Sequence, residues 1–98
     1  ENASKFFDEL LKIKPDNSKA YMYASFSHKM NRNFTKAADY GEQLYLREPN
    51  LVNNLINLAD IYKNLNLFSR AKEIIEKALF LEPENPKGLQ VQKSIAQI

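Results

Sequence analysis

The chain has no cysteine, two glycines, one histidine and no apolar run near the ~20 residues that a bilayer-crossing helix needs. Without cysteine there are no disulfide staples and no thiolate metal ligands. Gly41 and Gly88 alone make no phosphate-cradling loop, and a lone histidine, His28, leaves too few ligands for a transition-metal site. The opening residues, ENASKFFDELLK, lack the basic start, apolar middle and small-residue cleavage site of a signal peptide. No cofactor, no metal and no membrane insertion are therefore expected, and a cytoplasmic location is the default expectation. Charge of one sign is also missing. The net charge of +2 comes from lysines and arginines interspersed with acids, the pattern of a solvated surface. Lys5, Lys12, Lys14, Lys36, Arg47, Arg70, Lys72 and Lys77 are mixed with acids and form no clean stripe, so no nucleic-acid partner is expected.

What the chain does have is a period. Pro15, Pro49 and Pro83 are spaced by 34 residues, as are Ala3, Ala37 and Ala71. The tetrad Phe34-Thr35-Lys36-Ala37 returns as Phe68-Ser69-Arg70-Ala71 at the same step. Such a spacing marks a stacked array, in which each unit buries its apolar face only against its neighbours. That arrangement eases the limit that 98 residues place on a single core.

Helical apolar spacing, turn chemistry and prolines predict six helices over 3–14, 18–31, 35–47, 52–65, 69–81 and 87–97. Asn17 or Ser18, Thr35 and Ser69 are the expected N-caps, and Pro86 suits a first helical turn. Leu55, Leu58, Ala59, Tyr62 and Leu65 form one expected inner face; Ala71, Ile74, Ile75, Ala78 and Leu79 form its partner. The last helix is more polar, with Gln92 and Lys93 at inner-face positions, and reads either as a capping helix or as the opening of a further repeat. The expected organisation is one domain over 1–98: a partial unit at 1–17, full units at 18–51 and 52–85, and a final helix at 86–98, cut from a longer array.

These residues resemble the tetratricopeptide repeat. Leu55-x-x-Leu58-Ala59-x-x-Tyr62, then Phe68, Ala71, Ile75, Ala78 and Pro83, follow its pattern closely. Tyr21-x-x-Ala24-Ser25-x-x-His28, then Phe34, Ala37, Leu44 and Pro49, follow it less well, with His28 in place of tyrosine and Gly41 in place of a bulky residue. The resemblance implies an all-α fold of antiparallel helix-turn-helix repeats stacked as a right-handed superhelix. It also implies a concave groove, lined by the first helix of each unit, that binds a peptide or segment of a partner protein.

The residues that would face such a groove are Lys19, Met22, Tyr23, Phe26 and Met30 in one unit. In the next they are Asn53, Ile56, Asn57, Asp60, Lys63 and Asn64. Asparagine amides suit an extended backbone, and methionine and aromatic side chains suit an apolar segment. Burial by a neighbouring repeat, or a second copy of the chain in a homo-oligomer, would cover the apolar face equally well. One subgroup of the resembling family clamps a chaperone's terminal carboxylate. Asn57 and Lys87 match that clamp, but Met22, Phe26 and Val91 do not, so a clamp is not expected. Ser25 and His28 share a helix face, yet no carboxylate is expected to orient the imidazole and the Asp8-Glu9 pair reads as solvated, so no catalysis is expected.

Overall fold

The prolines and the turn residues cut the chain where expected. The computed structural model describes residues 2–97, and Glu1 and Ile98, the outermost residues of the first and last units, lie outside it. Six helices and no strand occur among the described residues: α1 (Asn2–Ile13), α2 (Ser18–Met30), α3 (Phe34–Arg47), α4 (Val52–Asn64), α5 (Phe68–Leu81) and α6 (Pro86–Ala96). None is long and apolar enough to cross a membrane. Helices α2 and α3 form one hairpin and α4 and α5 the next; α1 lies against α2, and α6 packs on α4 and α5. Inside each hairpin the turn reverses through a left-handed residue, Arg32 (φ 64°) and Asn66 (φ 63°), again 34 positions apart.

The second helix of each hairpin begins one residue earlier than expected, which moves the caps. Thr35 and Ser69 lie inside their helices and are not caps. Asn33 caps α3 by accepting from the Lys36 N–H (3.4 Å), as Asn17 caps α2 and Asn85 caps α6. An asparagine one step ahead of the aromatic can reach the open N–H groups, and Phe34 is drawn inward by packing on the core. Leu67 occupies the Asn33 position in the next hairpin and supplies no cap. Because Leu67 is 39 % exposed, Leu67→Asn is expected to raise stability by about 1 kcal/mol, read from the denaturation midpoint at unchanged slope.

Alanines make the close contacts: Ala24, Ala37, Ala59, Ala71 and Ala78 are fully buried, with Leu44, Leu55, Leu58 and Ile61 filling the space between them. Gly41 belongs to the same economy. A Cβ built there would stand 2.9 Å from Leu58 Cδ1 and 3.5 Å from Ser25 Oγ. Its missing side chain is the room that α4 uses, and Asn54 Nδ2 donates to its carbonyl at 3.0 Å. The glycine that is costly within a helix thus makes room for the bulkier side chains of the helix beside it.

A polar contact recurs between units. Asp8 on α1 accepts from His28 Nε2 on α2 (3.0 Å) and pairs with Lys36 on α3 (3.2 Å). Thirty-four residues later, Glu42 accepts from the Tyr62 hydroxyl (2.6 Å) and faces Arg70 at 4.0 Å. His28 therefore replaces tyrosine while keeping its task, which is to donate to the acid of the preceding unit. The expectation of a solvated Asp8 and an unoriented imidazole is corrected here. Asp8 is partly buried, and its partners lie twenty or more residues away on other helices. Tyr40 adds a third donor to the Asp8 carboxylate (2.5 Å) and stacks on His28. Burial alone would raise the Asp8 pKa, but the bonds from Tyr40, His28 and Lys36 outweigh it and hold the carboxyl below its usual value. Burial, then the bond to Asp8, pushes the Tyr40 phenol upward; burial and the bond to Glu42 do the same to Tyr62.

Candidate functional site

Three first helices, α2, α4 and α6, line one open groove of about 830 Å³. Taking Ser18, Val52 and Pro86 as position 1 of each helix, the lining falls into bands that advance by 34 residues. Position 2 gives Lys19, Asn53 and Lys87; position 5 gives Met22, Ile56 and Gln90; position 6 gives Tyr23, Asn57 and Val91. Position 9 gives Phe26, Asp60 and Ser94, and position 12 gives Lys29 and Lys63. Ser18, Glu48 and Leu51 complete the rim. The bands follow from the helical period, since residues 2, 5, 6, 9 and 12 share one face.

The middle of the groove is apolar. Tyr23 is 50 % exposed and Phe26 36 %, and Phe7 of α1 supports Tyr23 from behind at 5.5 Å between ring centres. The far end is a closed polar network. Lys29 and Lys63 both reach Asp60 (3.3 and 3.4 Å), and Lys63 also donates to Ser94 (3.2 Å). Lys29→Asp60 and Lys63→Ser94 are the same contact made one repeat apart.

The structure brings together Lys19, Met22, Tyr23, Phe26, Asn53, Ile56, Asn57, Asp60 and Lys63. It leaves out Met30 and Asn64, which hold the same position in their helices. Both sit at the last turn, where Met30 projects into solvent and Asn64 folds back to donate to the Asp60 carbonyl (2.8 Å). Lys29, the counterpart of Lys63, lines the groove and was missed, as were Ser18, Glu48, Leu51, Gln90 and Ser94, while Lys87 and Val91 entered only as clamp positions. Carrying the 34-residue step through all three copies finds Lys29 and Gln90; Leu51 precedes its helix and gives no periodic signal. Asn57 is not on an open face as the sequence suggested. It is 3 % exposed, its Nδ2 donates to Ser25 Oγ (2.9 Å), and Ser25 in turn donates to the Ala37 carbonyl (2.8 Å). Ser25 and His28 are thus each bonded elsewhere and do not form a nucleophile–base pair.

A second, shallower groove of about 580 Å³ lies between α5 and α6. Gln92 and Lys93 line it beside Phe68, Ile75 and Ile95, so the polar residues at inner-face positions meet solvent.

Helical hairpins related by a fixed 34-residue step, with their first helices lining a shared groove, define a helical repeat array. Residues 52–85 match the tetratricopeptide repeat family in sequence. That match covers the α4–α5 hairpin, and the same helical-repeat fold extends over the whole described length. No curated protein matches the chain in sequence. Among solved structures it is similar to the Arabidopsis OM64 TPR domain, with a TM-score of 0.88 and 20% identity, over 97% of this chain and 78% of that one. It is also similar to the first TPR of Spaghetti (RPAP3) bound to the HSP90 peptide SRMEEVD, with a TM-score of 0.89 and 16% identity, over 96% and 75%. MamA AMB-1 aligns at a TM-score of 0.84 and 19% identity, over 96% of this chain and 51% of that one. At these identities the likeness is one of fold.

Proposed function

We propose that the chain is a noncatalytic protein–protein interaction module that binds a segment of a partner protein in the groove of α2, α4 and α6. The observation that carries this reading is the apolar middle of the groove, where Tyr23 and Phe26 stand open to solvent between polar rims. Exposed aromatics in a concave surface release water on binding and are rarely left open without use. The Spaghetti TPR, whose fold this chain shares, is seen bound to a peptide. The noncatalytic part is supported by the commitments of Ser25 to Ala37 and Asn57, and of His28 to Asp8.

Selection of displayed random dodecapeptides against the immobilised chain tests the reading. Enriched peptides are expected to lose at least tenfold in affinity to the Tyr23→Ser/Phe26→Ser variant. They are expected to be indifferent to Phe80→Ser, which removes a more open aromatic from the outside of α5. Binding that follows Phe80 and ignores Tyr23 and Phe26 would place the contact elsewhere and sink the groove reading.

A further inference from the structure

We infer that the partner segment carries two acidic side chains about six residues apart in an extended chain, with apolar residues between them. This rests on the groove reading above and gives the ligand its chemistry. Four lysines line the groove, and two are already committed: Lys29 and Lys63 converge on Asp60. Asp60 accordingly has no use for a cation from a ligand. Lys19 and Lys87 are exposed, and neither forms an ion pair among the described residues.

The two free lysines stand at the same position of α2 and α6, and these helices do not touch because α4 lies between them. One carboxylate cannot serve both, so each lysine selects its own. Packed helices are about 8–10 Å apart, which sets the two lysines roughly 20 Å apart; an extended chain covers that in about six residues. Between them the wall is Ile56 and Val91 with the Tyr23 ring, which favours apolar side chains and offers a chain-terminal carboxylate no cluster of donors. Glu48 at the rim is the one acid of the lining outside the Asp60 network. With Glu48 and Asp60 counted against four lysines the groove is net +2, so an acidic segment is drawn in and a basic one repelled.

The test uses peptides capped by acetyl and amide groups, so that no terminal charge contributes, and reads binding by fluorescence anisotropy. A probe with aspartates at positions 1 and 7 around a Leu/Met/Phe-containing core is compared with its Asn/Asn analogue, its Lys/Lys analogue and an isomer with adjacent aspartates. The spaced diacid is expected to bind about tenfold more tightly than the Asn/Asn analogue at low salt. Lys19→Gln and Lys87→Gln, both solvent-facing changes, should each remove about threefold, and the adjacent diacid should gain no more than one such step. Equal binding of the diacid and its Asn/Asn analogue, or indifference to both lysine variants, overturns the inference. If that equal binding is still abolished by Tyr23→Ser/Phe26→Ser, the groove reading stands without it; binding of no probe that depends on Tyr23 and Phe26 overturns both.

Discussion

Gly41→Ile is expected to cost about 3 kcal/mol, seen as a fall in the urea midpoint and, for a chain of this size, a melting temperature lower by roughly 10–20 °C. Isoleucine is what the repeat itself would place there, because Ile75 is the counterpart of Gly41 one unit later and Phe7 one unit earlier. The cost arises from the facing helix. Asn54 and Leu58 crowd Gly41, and their counterparts opposite Phe7 are Ala20 and Ala24. Phe7 packs on the cluster that contains those alanines. Volume has thus moved across the interface, from α3 to α4, while the contact is kept. Gly41→Ala should be nearly neutral, since the gain of about 1 kcal/mol in helix propensity offsets a mild push on Leu58. The decisive comparison is Gly41→Ile with Leu58→Ala, which alone should cost 2–5 kcal/mol by order of magnitude. If volume is exchanged, the double variant is more stable than the two single costs predict, by at least about 1 kcal/mol. Strict additivity would show that the two positions do not share the space.

How much of this was legible beforehand depends on whether a feature repeats locally or arises between units. Helix number, hairpin pairing and the prolines were legible, because spacing at 3.6 residues inside a 34-residue step constrains both levels at once. Caps were not, because Thr35 and Ser69 are as good in composition as Asn33, and only the inward pull on Phe34 decides where the helix starts. Nine of the eleven residues expected in the groove line it, and the two exceptions share one position. Helical angle alone admits position 13; the end of the helix excludes it.

Asn57 was misread for a different reason. The apolar spacing of one helix shows one buried face, whereas α4 is the central helix and is packed by α2, α3, α5 and α6. Every residue from 54 to 59 is consequently buried, and an asparagine on the groove side becomes part of the floor, bonded to Ser25. The Asp8–His28 contact escaped for a related reason. Its partners belong to different units, and neither helix taken alone shows why an acid should turn inward.

That contact leads to the second large effect. Asp8→Ala is expected to lower stability by about 2–3 kcal/mol, because it leaves the Tyr40 hydroxyl and His28 Nε2 without their shared acceptor in a partly buried site. The backbone of α1 touches α2 but not α3, so α1 reaches α3 through side chains: Asp8 bonds to Tyr40 and Lys36, and Leu11 shares an apolar cluster with Leu44. The loss of Asp8 should therefore be local first. Amide exchange in α1 should accelerate more than in α4, and Tyr23, which rests on Phe7, should become more mobile at the groove. The pH dependence has a fixed sign. A carboxyl held below its usual value stabilises the fold in its charged form, fully so above its unfolded pKa of about 3.9, and that contribution is lost as pH falls through the lower folded value. The gap between the parent chain and Asp8→Asn should then be constant from pH 6 down to about 4 and narrow below it. A gap that instead widened with acid would mean that the neutral carboxyl is the bound form, contrary to an acid that accepts from three donors. Groove affinity measured alongside should fall with α1 exchange protection, since the Tyr23 wall is only as firm as the helix behind it.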